Sequence, residues 1–130
     1  MKDFIPYEPA LALKELGFDE PCIGNYFHTK ELKIYGGDVL RIKNSDMGTV
    51  TAPTFSQAFR WFREKYSLHA DIGEESDWEE NNESWSFDIY KYKLGNNDAI
   101  INNCETFNIY EEAELACLIK LIEIVKTKQL

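Results

Sequence analysis

An α+β fold is predicted, with an antiparallel sheet of about five strands and three helices packed mainly on one face, in the order α-β-β-β-α-β-β-α. Three segments carry this prediction. Tyr7-Glu8-Pro9-Ala10, Phe55-Ser56-Gln57-Ala58 and Tyr110-Glu111-Glu112-Ala113 each open with an aromatic residue, two arbitrary residues and an alanine, and an apolar run follows. Helical periodicity then puts the aromatic in the first turn and the alanine one turn later on the same face. Short apolar stretches punctuated by turn residues lie between these segments, which is the spacing of hairpins. The 130 residues suit one domain, expected to span 1–130, and that size supports a core without disulfide staples. A composition 44% hydrophobic and 14% aromatic excludes a disordered chain.

The first helix is expected from about Tyr7 to Leu16, with Pro6 and Pro9 in its opening turn and Gly17 as its stop. Ala10, Leu13 and Leu16 would face the core. Strands follow at Ile23 to Phe27 and Leu32 to Tyr35, joined by His28 to Glu31 as a hairpin loop. Gly36-Gly37 punctuates, Val39 to Ile42 is a third strand, and Thr49 to Ala52 is a brief fourth.

The second helix has the clearest signature. Thr54 and Gln57 make a capping box, and Phe55, Ala58, Phe59, Phe62 and Tyr66 share one face. Arg60, Arg63 and Glu64 lie on the other side. Asp71 to Glu83 shows no period and is expected to be an exposed loop. Trp85, Phe87 and Ile89 alternate with polar residues as a strand, and Ala99 to Ile101 returns after a turn at Gly95 to Asp98. The last helix is expected from a cap at Asn108, with Glu111 completing a second capping box, to about Lys126. Its apolar sector is wide enough for burial on two sides or for a partner, and a homodimer is one reading of it.

The net charge of −9 is unevenly placed. Through Tyr66 there are nine acidic and nine basic residues; from Ser67 onward there are fourteen and five. Seven of the acids fall between Asp71 and Glu83, and without that run the balance is −2. A surface of this sign argues against direct binding to nucleic acid or to an anionic membrane, since phosphate contacts need Lys and Arg. Cys22, Cys104 and Cys117 form an odd set without CxxC spacing and read as buried free thiols of a reducing compartment. No apolar run is long enough to span a bilayer, and Met1-Lys2-Asp3-Phe4 lacks a signal-peptide core, so a cytoplasmic location is expected.

Phe4 to Cys22, Thr51 to Tyr66 and Tyr110 to Val125 together resemble a group of short uncharacterised proteins of bacteriophages and prophages. The resemblance coincides with the three helices. It implies a phage-type origin, and with it the cytoplasm of a host cell, but it brings no assigned activity and no functional residues. By association it raises an inhibitor of host defence as a role.

Four residues of the acidic run are the candidate partner-binding site: Trp78 as an aromatic anchor within the carboxylates of Asp77, Glu79 and Glu80. Such a run would imitate the charge spacing of nucleic acid and block a protein that handles it. The plainer alternative is a solvated loop with Trp78 folded back onto the core. The leading expectation is therefore a non-enzymatic protein that binds a host or phage protein, as a monomer or homodimer. A second class of function is a small-ligand or nucleotide site on the second helix, where Arg60 and Arg63, with Lys65 beside them, could pair with an anion and Trp61 could stack. No cofactor is expected. Gly73 comes too early for an EF-hand, and neither His28 nor His69 has a ligand at metal spacing, so no metal is expected. Cys22 and His28 are a weak catalytic pair in a hairpin, no glycine-rich phosphate loop is present, and no catalytic residue is assigned.

Overall fold

The computed structural model describes residues 3–27, 30–35, 41–46, 48–77, 82–93, 96–102 and 105–128. The fold is α+β, with three helices and, among the described residues, two antiparallel three-stranded sheets. The expected single sheet is corrected by this arrangement. Each sheet belongs to one of two compact units, Met1–Ala58 and Phe59–Leu130.

In the first unit, helix α1 spans Tyr7–Glu15 and ends where Gly17 takes a positive φ of 96°. Glycine enters this region without steric cost, so the stop lies where the sequence puts it. Ala10 and Leu13 are buried, whereas Leu16 at the C-cap is only partly covered. Strand β1 (Gly24–Phe27) is central, between β2 (Lys33–Ile34) and β3 (Thr49–Ala52). The β1–β3 register aligns Gly24 with Ala52, Asn25 with Thr51, Tyr26 with Val50 and Phe27 with Thr49. Of the expected Val39–Ile42 strand, residues 39 and 40 lie outside the described residues, and Ile42 forms an isolated bridge to Cys22.

Close approach explains Gly24. A Cβ there would stand 2.7 Å from the Ala52 carbonyl oxygen and 2.8 Å from the Phe4 ring. Polar side chains pin the unit together. The Asn44 amide donates to the Phe18 carbonyl at 2.8 Å, and its oxygen accepts from the Thr51 N–H at 2.9 Å. The Tyr26 hydroxyl donates to the Ile5 carbonyl at 2.8 Å.

Helix α2 (Phe55–Tyr66) contains the unit boundary, between Ala58 and Phe59. Its cap is the expected one: the Gln57 N–H donates to Thr54 Oγ1 at 3.2 Å. The other half of the capping box is diverted, because Gln57 Oε1 accepts from Cys22 Sγ at 3.8 Å while Nε2 donates to Glu20 and to the Pro21 carbonyl.

The second unit holds β4 (Leu68–Asp77), β5 (Asn82–Lys93), β6 (Asn96–Asn102) and α3 (Tyr110–Lys126). The strand order is β4-β5-β6, and α3 packs on β4 and β5. Phe62, Leu68, Phe87, Ile89, Cys117, Leu118, Leu121 and Ile124 are buried. Asn108 is not the cap of α3. Phe107 exchanges both backbone hydrogen bonds with Trp85, the chain then bends at Asn108, and Ile109, in extended backbone, is the N-cap and makes no side-chain cap bond. The strand bridge thus outcompetes the capping box for this backbone.

Candidate functional site

The described part of the acidic segment is strand rather than the expected loop. From Leu68 to Asp77 it is strand β4, paired with β5 through ten registered positions from Leu68↔Lys91 to Asp77↔Asn82. Residues 78–81, which include the candidate anchor Trp78 with Glu79 and Glu80, lie outside the described residues; Asp77 is the last residue of β4. Backbone pairing explains why the charge pattern misled. The ladder pairs the inward main-chain groups of β4 whatever its side chains are, water can serve the outward ones, and β5 supplies the apolar residues that fasten the ribbon to a core.

Cross-strand register sorts the side chains into two faces. Ala70, Ile72 and Glu74 stand opposite Ile89, Phe87 and Trp85. This is the core-facing side, where Phe87 stacks on Phe107 at 6.3 Å and Trp85 meets Tyr110 edge-on at 5.3 Å. The other face carries Asp71, Gly73 and Glu75 opposite Asp88, Ser86 and Ser84. Asp71, Glu74, Glu75 and Glu83 are exposed. Glu75 is held in place by accepting a hydrogen bond from Ser86 Oγ at 3.0 Å.

Asp71 and Asp88 are directly opposite one another. Like charges at such a position destabilise a sheet. Asp88, with Asp71 behind it, also pushes the Tyr90 phenol up. β6 registers with β5 only from Asp88 to Lys93, so the part of the ribbon toward Asp77 lacks a third strand from β6. β4 is the outer strand of its sheet order.

The alternative site on α2 has a different geometry from the one expected. Arg63 and Lys65 are exposed, and Arg60 Nε lies 3.9 Å from Glu64 Oε1 in a solvent-facing pair. Trp61, however, is buried at 6% exposure, with edge-on contacts to Phe62 and Tyr66. Lys65 Nζ already sits 5.1 Å from its ring centroid. Its large ring is worth more in the core than on the surface, so Trp61 is not an open stacking platform for a nucleotide.

Both described thiols are buried and free. Burial pushes Cys22 up to about 11, against smaller opposing contributions from Thr51 and Gln57. Cys117 is pushed up to about 12 by burial, with Glu114 and Asp88 adding to it. Neither is a thiolate at neutral pH, so neither has the character of a nucleophile. His28 and Cys104 lie outside the described residues. Among the described residues no three His, Cys, Asp or Glu side chains gather at metal-binding distance, and no helix is long and apolar enough to cross a membrane.

Sequence reasoning named the acidic run but missed its strand and the positions that fix its faces, Glu74, Glu75, Ser86 and Asp88. The available signal was the alternation of Leu68, Ala70 and Ile72, mirrored by Phe87 and Ile89. No family model, curated protein or solved structure matches the chain.

Proposed function

We propose that this protein is a non-enzymatic binding protein whose acidic β4–β5 ribbon occupies a basic surface on another protein, one that otherwise engages nucleic acid. The observation that carries this reading is the set of exposed carboxylates on a paired ribbon, Asp71 and Glu75 on one face and Glu74 and Glu83 on the other. Side chains on one face of an extended strand recur about every 6.8 Å, close to two of the roughly 3.4 Å steps by which phosphates advance along one strand of DNA. Carboxylates on such a strand can therefore meet a row of Lys and Arg spaced for a phosphate backbone. The direct opposition of Asp71 and Asp88 supports the same reading, because a sheet gains nothing from it and a cationic partner relieves it. The resemblance to phage proteins makes a host nucleic-acid-handling protein the expected partner class.

The test is capture from host extract on the immobilised protein at low salt, followed by elution with heparin or duplex DNA as a competing polyanion. Wild type should retain basic proteins that either polyanion releases. The variant Glu74→Lys, Glu75→Lys, Glu83→Lys should lose them while still showing a cooperative melting transition, lowered at most by the lost Ser86–Glu75 hydrogen bond. Retention of the same proteins by that variant would sink the ribbon as the binding surface.

A further inference from the structure

We propose that a cleft in the first unit binds a small phosphorylated molecule carrying a planar ring, of the nucleoside monophosphate class. The cleft measures about 400 Å³ and is formed by two lysines, Lys14 and Lys30, two tyrosines, Tyr7 and Tyr26, and the backbone from Gly48 to Val50. That volume falls among small-ligand sites, which run from roughly 300 to 1,000 Å³. Among the described residues its lining contains no carboxylate, on a chain whose net charge is −9.

The two cations come from different elements. Lys14 lies in the last turn of α1 and Lys30 follows β1, and both line one space. Lys14 is held by donating to the Thr49 carbonyl at 2.6 Å. An ammonium has three donors, so two remain for a ligand oxygen. Lys30 lies 3.9 Å from Glu8 Oε1, but both side chains are 76% exposed, and such a pair yields readily to a doubly charged phosphate.

The tyrosines supply a fixed aromatic wall. Their rings meet edge-on at 5.4 Å, and the Tyr26 hydroxyl is tied to the Ile5 carbonyl. Lys30 Nζ covers the Tyr7 ring at 5.5 Å from its centroid, but Tyr7, unlike Trp61, is only half-buried and Lys30 is exposed, so a phosphate that draws the ammonium aside uncovers the ring face. A phosphate on the ammonium groups would set an attached base against Tyr7. Gly48, which lines the cleft, has a φ of 76°, a backbone conformation that favours glycine. The Thr49 hydroxyl is not a free donor, since it serves the Lys43 and Asp46 carbonyls.

Calorimetric titration with AMP, adenosine and inorganic phosphate tests the proposal. AMP should bind at least roughly tenfold more tightly than either fragment, because each supplies only half of the contacts. Lys30→Met should weaken AMP roughly tenfold with an unchanged melting temperature, since Lys30 is exposed. Amide NMR shifts on titration should centre on Gly48, Thr49 and Val50. The ribbon variant Glu74→Lys, Glu75→Lys, Glu83→Lys should bind AMP like wild type, which keeps this site separate from the proposed protein-binding surface. Adenosine binding as tightly as AMP would overturn the role of the lysines, and phosphate binding as tightly would overturn that of the ring. Shifts centred elsewhere, or no binding of AMP at millimolar concentration, would overturn the site.

Discussion

The two units of the chain are built by different means. Residues 1–58 carry eight acidic and six basic side chains, and residues 59–130 carry fifteen and eight. The first unit has short strands of four, two and four residues, tied by side chains that reach across 21 to 35 positions of sequence. The second has strands of ten, twelve and seven residues, closed by one apolar helix face. Long ladders satisfy their own backbone and tolerate hostile side chains such as the Asp71–Asp88 pair. Short ladders need polar pins, and each pin is a point of weakness. The acidic surface is therefore found on the unit whose backbone can carry it.

All three tryptophans, Trp61, Trp78 and Trp85, belong to the second unit, so their fluorescence reports on it alone. The largest expected effect tests its apolar helix. Leu118 is fully buried on α3, and Leu118→Ala should cost about 3 kcal/mol through lost transfer energy and a cavity. Denaturant unfolding followed by tryptophan fluorescence measures this. A loss under about 1 kcal/mol would mean that α3 does not hold the unit through this face.

Next in size is a pin of the first unit. Asn44→Ala leaves the buried Phe18 carbonyl and Thr51 N–H without their partner, at a cost of about 2 kcal/mol. Hydrogen exchange at Thr51 should accelerate accordingly. If the tryptophan signal shifts by the same amount, the units unfold together; if it stays fixed, they melt apart. An unchanged exchange rate would refute the pinning role itself.

A third effect depends on pH. Burial raises the Cys117 thiol from its ordinary 9 to about 12, so the folded state holds that proton more tightly than the unfolded chain. The contribution is complete below pH 9 and is lost as pH rises toward 12. Between those limits stability should fall by up to about 1.4 kcal/mol per pH unit from this group. Cys117→Ala should flatten that slope in the tryptophan signal, and an equally steep slope would assign it to other groups. Cys22, raised to about 11, gives the same sign in the first unit, ending nearer that pH.

The helices were legible in the sequence because each carries its own period and terminal signals: Gly17 stops the first and Thr54 caps the second. The start of the third was misread, since Asn108 has the chemistry of a cap but Phe107 is already committed to Trp85. That commitment depends on a residue 22 positions away and has no local trace. The division into two sheets was illegible for a similar reason. Strand segments announce themselves by composition, whereas partner choice is settled by tertiary packing. Of the candidate site, the charge was plain and the ribbon was not, because acidic residues argue against a strand that its partner imposes. Trp61 was misplaced by its neighbours Arg60 and Arg63, although a ring of that size gains most from burial.

The smallest expected effect contrasts two asparagines of the same unit. Asn44 is buried with both ends of its amide satisfied. Asn25 is fully buried in β1, and neither its Nδ2 nor its Oδ1 has a hydrogen-bond partner among the described residues. A buried amide without partners costs stability that an apolar side chain of similar shape does not. Asn25→Val places a strand-favouring residue there and should leave stability unchanged or raise it by up to about 1 kcal/mol. The opposite sign from Asn44→Ala is the point of the experiment: burial is common to both, and satisfaction alone differs. Hydrogen exchange at Thr51 reads both variants on one scale. If Asn25→Val loosens Thr51 as much as Asn44→Ala does, the Asn25 amide has a partner that holds β1 to β3, and polar pinning extends through the centre of this sheet.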